Sequence, residues 1–277
     1  MDVSRAKVII IILLAAFNIF LLSNNLAQVR GQNTGETVSN TVMILKQRGV
    51  TLECSMPKEI GTFRKLRYGN GVLDRKSMVN KLLGDAYVMP DKGDVYESNS
   101  KKIEFSGDMK FVFTDVRPSL GFDLQNDDKL KKTLQDRLKE LGLIDKNYVV
   151  DQFERNQDGS ITIYFIEKYE GFLLFDNYCK VLLTSEGISK LDYSKYQVIG
   201  FSGDKTVQPQ AYQALLAYYK DSYNKTITSI DCGYSLEASS LDGMETVEVL
   251  PEWHAKIKGE SKPDILKVEI ADDKTVQ

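Results

Sequence analysis

Near its N-terminus the chain carries one almost unbroken apolar run, Val8 to Leu22. It lies between a short basic start with Arg5 and Lys7 and a polar remainder that opens at Ser23-Asn24-Asn25. A run of this kind either crosses a bilayer or is removed as a signal. As a helix it covers about 22 Å, short of a hydrocarbon core of roughly 30 Å. Ala6 and Lys7 extend it at one end and Ser23 to Ala27 at the other, with Lys7 reaching back to the inner surface. Signal cleavage needs small residues at the third and first positions before the cut. Ala27 suits the first, but Asn25 stands at the third, and Ala15-Ala16 lies inside the apolar core. The residues favour a retained anchor over a cleaved signal. On that reading 1–7 is a cytoplasmic N-terminus, 8–27 a transmembrane helix and 28–36 a linker. Arg5 and Lys7 keep the N-terminus inside and leave the rest outside the cell membrane.

Ile11, Ala15, Asn18 and Leu22 fall at i, i+4, i+7 and i+11, so they share one face of that helix. An amide in hydrocarbon is costly without a partner, and small Ala15 beside Asn18 suits contact with another helix. The plainer reading leaves Asn18 hydrated near the outer interface.

The net charge of −3 leaves no basic footprint for nucleic acid. The 14 Tyr and 12 Phe favour a packed core over disorder. Cys54, Cys179 and Cys232 are widely spaced and include no CxxC pair, so at most one bridge forms and three free thiols fit equally well.

Helical periodicity and caps predict helices over 37–48 (closed by Gly49), 74–83 (capped by Asp74), 128–141 and 209–219. Strands are expected at 50–54, 87–89, 94–97, 101–105, 110–114, 148–154, 160–168, 172–184, 226–236, 246–257 and 265–270. Asp158-Gly159 marks a hairpin turn. Arg117-Pro118 and the polar stretch 125–128 suggest a boundary. The expected fold class is therefore α+β: a single N-terminal transmembrane helix, then an ectodomain of two related helix-plus-antiparallel-sheet units, 37–122 and 123–277.

Catalytic chemistry is hard to find. His254 is the only histidine, which rules out a two-histidine metal site; on its expected strand it reads as a surface or edge imidazole. Nucleophile-elbow, P-loop and dinucleotide patterns are absent. Ser-x-x-Lys occurs four times without the companion motifs of a serine enzyme, and the acidic pairs Asp127-Asp128 and Asp272-Asp273 read as solvated surface. No catalytic residue, cofactor, metal or small-molecule substrate is predicted. Tyr212, Leu215, Leu216 and Tyr219 read as core-facing at helical spacing, which leaves Tyr218 and Tyr223 as candidate partner contacts.

Two stretches carry a family resemblance. Met1-Asp2 with Ser4, Lys7 and Phe17-Asn18-Ile19-Phe20-Leu21-Leu22 resembles the N-terminus of the YycI regulators of two-component systems; Val3 stands where members usually carry Trp. The helix at 210–219, then Ile227 to Tyr234, then Val249 to Ile257 with Pro251-Glu252-Trp253, resembles the terminal unit of YycI and YycH and PepSY-like modules. The resemblance implies a non-catalytic, single-pass regulator of a cell-wall sensor histidine kinase in Gram-positive bacteria, with an extracellular α+β domain and a YycH-type partner. Asn18 matches a polar position of the family's helix, which implies contact through the Ile11/Ala15/Asn18/Leu22 face. The alternative is an extracytoplasmic PepSY-like module that binds or inhibits a protease or an envelope ligand.

Overall fold

The computed structural model describes Leu14 and residues 35–266, apart from 59, 61, 72, 85–86, 89–93, 222, 237–243 and 261. Apart from Leu14, the expected transmembrane segment, with Ile11, Ala15, Asn18 and Leu22, lies outside the described residues, as do Asp272 and Asp273. Among the described residues no helix is long and apolar enough to cross a membrane.

The chain is α+β. In order it runs through helix α1 (Gly35–Gln47), strands β1 (Val50–Leu52) and β2 (Phe63–Gly69), helix α2 (Arg75–Leu83), and strands β3 (Val95–Ser98), β4 (Lys101–Ser106) and β5 (Lys110–Asp115). Helix α3 (Asp127–Glu140) leads into β6 (Tyr148–Arg155), β7 (Ile161–Tyr169), β8 (Phe172–Thr184), β9 (Gly187–Ser194) and β10 (Gln197–Thr206). Helix α4 (Ala211–Tyr218) and strands β11 (Lys225–Tyr234), β12 (Thr246–Val249), β13 (Pro251–Ile257) and β14 (Asp264–Leu266) follow.

The described residues of 35–60, 208–230 and 254–266 make one compact unit. Its helices α1 and α4 pack together, with Thr41 and Leu45 of α1 turned inward and Ala211, Tyr212, Ala214 and Leu215 of α4 buried. Gly49 ends α1 at φ 76°, the left-handed conformation that lets its N–H reach the Lys46 carbonyl. The chain then enters β1, which pairs in parallel with β11, Val50 opposite Lys225 and Leu52 opposite Ile227.

Residues 62–207 and 231–253 make the second unit. Here β6-β7-β8-β9-β5-β4-β3 lie side by side, every neighbouring pair antiparallel. One face carries Phe105, Phe111, Phe113, Ile161, Ile163, Phe165, Val181, Leu191 and Tyr193. It shares one core with Val79, Leu82 and Leu83 of α2 and Leu130, Leu134 and Leu138 of α3. The caps fix where these helices start: Asp74 accepts from Ser77 N at 3.0 Å and Asn126 from Lys129 N at 3.0 Å. A three-stranded antiparallel sheet, β10-β2-β12, buries Leu66, Tyr68, Val247 and Val249 against Leu174, Tyr234 and Leu236.

Several expectations need correction. The units do not divide between residues 122 and 123, because α2 and β4–β5 share their core with α3 and β6–β9. Nor is the pairing purely antiparallel, since β11 runs parallel both to β1 and to the start of β8. The expected strand 246–257 is two strands, broken at Leu250, and β2, β9 and β10 stand where no strand was expected. His254 is buried, at 6% exposure, because β13 is covered on the face that carries it.

Candidate interaction sites

In the first unit a chain of tyrosines gathers at the end of α4. The helix starts with a reciprocal cap, Gln210 and Gln213 each accepting from the other's backbone. Its last carbonyls have no partners within the helix. Arg48 supplies them, donating from Nη1 to the Leu216 carbonyl at 3.1 Å and the Tyr219 carbonyl at 2.7 Å. The Arg48 carbonyl accepts in turn from Tyr223 N at 2.7 Å, which ties α4 to the end of α1. Tyr218 meets Tyr219 edge-on at 4.9 Å, and Tyr219 meets Tyr223 edge-on at 5.2 Å.

Tyr219 is fully buried, and its hydroxyl donates to Asp264 Oδ2 at 2.6 Å. Burial, and then that carboxylate, push the phenol's pKa up. Lys225 completes the group, 2.8 Å from Asp264 and 3.4 Å from Glu260. The hydrogen bond to Asp264 holds its ammonium above the usual range. Tyr212, Leu215 and Tyr219 are buried, and Leu216 is half-buried. Tyr218 is exposed at 37%, whereas Tyr223 is half-buried. The arrangement offers one tyrosine ring on a rigid support.

In the second unit the polar interior centres on Asn177. Strand β8 bulges between its pairings Tyr178 to Ile166 and Leu174 to Glu167. Within the bulge the fully buried Asn177 side chain does the work of a strand backbone. Its Oδ1 accepts from Tyr196 N at 2.7 Å, and its Nδ2 donates to the Tyr196 carbonyl at 3.0 Å and to Glu167 Oε2 at 2.8 Å. Burial raises the pKa of Glu167, against the opposing pull of Lys195 and of the Asn177 amide. Sequence reasoning passed over this group, because an Asn inside an apolar run looks like an interruption until the bulge is seen.

Beside α3 a cleft is lined by Phe122, Asp123, Leu124, Gln125 and Arg155. Arg155 is engaged there by Asp127 and by the Leu124 carbonyl. Asp127 is therefore half of an ion pair, and Asp128, 97% exposed, lies 3.7 Å from the Lys131 ammonium. Among the described residues no three His, Cys, Asp or Glu side chains gather as a metal site, and Cys54, Cys179 and Cys232 are unbridged.

The family described as YycI protein matches residues 30–271. The chain belongs to the YycI family. No curated protein matches this YycI-family chain. Among solved structures, an uncharacterized protein from Eubacterium rectale ATCC 33656 is 10% identical, with a TM-score of 0.51 over 79% of this chain and 86% of that one. The fold is therefore shared at very low identity. YycH from Bacillus subtilis is 15% identical, with a TM-score of 0.48 over 76% of this chain. The chain spans 51% of its length. The C-terminal domain of Bacillus megaterium YpeB is 13% identical, with a TM-score of 0.38 over 72% of this chain and all of that domain.

Proposed function

We propose that this chain is a non-catalytic regulator of a cell-wall sensor histidine kinase, anchored by residues 8–27 and acting through contacts of that helix and of its ectodomain. A YycH-type protein is the expected companion in the complex. The observation that carries the reading is the YycI family match over residues 30–271. On this reading the N-terminus is inside, the α+β region is outside, and the Ile11/Ala15/Asn18/Leu22 face packs on the kinase or the companion.

Magnitudes limit what the helix does alone. Moving a kinase between 1:99 and 99:1 takes about 5.5 kcal/mol of differential contact. Intramembrane hydrogen bonds supply roughly 0.6 kcal/mol each. Contacts of the ectodomain, with Tyr218 as a candidate, are needed to make up the difference, unless the regulated shift is smaller.

The test exchanges residues 1–27 for an unrelated single-span anchor and follows kinase output and co-purification of the kinase. Loss of regulation is expected, and Asn18→Leu alone should reproduce part of it. Full retention of both readouts in the exchanged chain would sink the helix-packing mechanism.

A further inference from the structure

In the second unit β2 leads to α2 through a segment that opens on Asn70-Gly71, the one Asn-Gly step in the chain. Asn70 is exposed and stands one residue past the end of β2. It ties that end to the chain entering β12. Its N–H donates to the Glu245 carbonyl at 3.3 Å, and its Nδ2 donates to the Met244 carbonyl at 2.8 Å. Met244 and Glu245 are exposed too, and the pairing of β12 with β2 begins at the next residue, Thr246 opposite Gly69.

An asparagine side chain is an electrophile wherever the next backbone nitrogen can reach its Cγ. Gly71 has no Cβ to shield its nitrogen, and it lies outside any helix or strand. Among the described residues the Gly71 N–H meets no acceptor, and the Asn70 amide hinges on its bond to Met244. Water, which must complete the reaction, has access to both residues. The Asp158-Gly159 turn shows the opposite state. There Gly159 N donates to the Asn156 carbonyl at 3.1 Å, and the Asp158 carboxylate accepts from Ser160 N at 2.9 Å and Ser160 Oγ at 2.6 Å. Nucleophile and electrophile are both held. Asn80 is locked within α2, and Asn177 is fully buried with both ends of its amide bonded.

We propose that Asn70 is a deamidation site, modified through attack of the Gly71 nitrogen on Asn70 Cγ. The nitrogen gives up its proton and forms the new C–N bond. The Cγ–Nδ2 bond breaks, and the amide nitrogen leaves with that proton as ammonia. The succinimide ring then takes up one water at either of its carbonyls. It opens to aspartate or to isoaspartate, whose main chain runs through Cγ and is one atom longer. Water is the only co-reactant. Either product replaces the donor 2.8 Å from the Met244 carbonyl by a carboxylate, an acceptor facing an acceptor. Isoaspartate also lengthens the link from β2 to α2. The reaction therefore loosens the start of β12 from β2 and gives that joint a chemical lifetime. It needs neither the anchor nor a partner, so it stands apart from the regulatory reading.

The test keeps the full chain in detergent micelles at mildly alkaline pH and follows its tryptic peptide 68–75 by mass spectrometry. That peptide should become about one dalton heavier, with isoaspartate among the products, ahead of every other asparagine peptide. Gly71→Ala should slow the conversion about tenfold, because a methyl at residue 71 shields the nitrogen. The new Cβ would lie 3.3 Å from that of Gln197, in a backbone conformation open to alanine. Asn70→Asp, which installs one product, should lower the urea midpoint and quicken hydrogen exchange along β12. An unchanged peptide in the folded chain overturns the proposal, and conversion in urea would then show that the fold protects Asn70. Conversion of Gly71→Ala at the parent's rate overturns it too, as does conversion without isoaspartate. If Gly71→Ala does not fold, the isoaspartate readout on the parent chain decides alone. An Asn70→Asp chain that matches the parent in both measurements overturns the loosening of β12.

Discussion

At Glu167 the charge that water would stabilise is instead held by one amide. Asn177 donates to it at 2.8 Å, Lys195 attracts it, and Asp145 repels it. The phenols of Tyr68, Tyr148 and Tyr193 face it from β2, β6 and β9. Burial outweighs the favourable partners, so the folded carboxyl titrates above its ordinary value. The sign follows from linkage. At acid pH the group is protonated in folded and unfolded chains alike. As pH rises through the ordinary carboxylate range the unfolded chain ionises first, and stability is lost until the folded carboxyl has ionised too. Glu167→Gln keeps an acceptor for Asn177 and removes that loss. The variant should match the parent at acid pH and exceed it in urea midpoint near neutrality. A midpoint difference that does not change with pH would contradict the assignment. None of this is legible at residues 167 or 177 in the sequence, because the burial of both arises from a bulge that pairs β8 with two different neighbours.

Among the elements, helices were readable and strands less so, for local reasons. Asp74, Asn126 and Gly49 are chemical signals at helix ends, and Leu130, Leu134 and Leu138 repeat at helical spacing, so their structure follows from short windows. Strand β2, Phe-Arg-Lys-Leu-Arg-Tyr-Gly, lacks strict alternation, and β10 slips register twice against it, which erases the period of two. The single long strand expected at 246–257 failed because its two halves join different neighbours. One prediction belongs at this scale. A Cβ at Gly49 would collide with the Tyr223 carbonyl, and the left-handed conformation alone costs about 1–2 kcal/mol for a residue with a Cβ. Gly49→Ala should therefore lower stability by at least that amount in chemical denaturation. It should also disturb Tyr223, visible as a change in near-ultraviolet circular dichroism. An unaltered midpoint would mean that the turn between α1 and β1 adjusts freely.

For the whole molecule, the order of the units along the chain was the least legible property. A linear reading places boundaries where composition shifts, as at 117–128. Neither unit is a continuous segment, and each is completed by strands near the C-terminal end. Residues 62–207 hold the seven-stranded sheet but lack Tyr234, Leu236, Val247 and Val249, which cover Leu66 and Tyr68. A chain stopped after Val207 should therefore retain most strand content by far-ultraviolet dichroism while binding a hydrophobic dye strongly. Dye binding no greater than the parent's would show that β2 and β10 close without their partners. The candidate contacts divided in the same way. Tyr218 stands out on a helix of clear period, whereas the Asn177–Glu167 group exists only through the bulge of β8.

That threading sets a timetable. Helix α1 is the first described element, and its unit is completed by strands β13 and β14, about 200 residues later, across the kind of sequence separation that makes closure slow. Until α4, which packs on it, has been made, the inward face of α1, with Leu45 on it, stands open to any chaperone or protease in the same compartment. A chain that has buried that face has therefore been made at least as far as α4, so the order of synthesis sets when this unit can close.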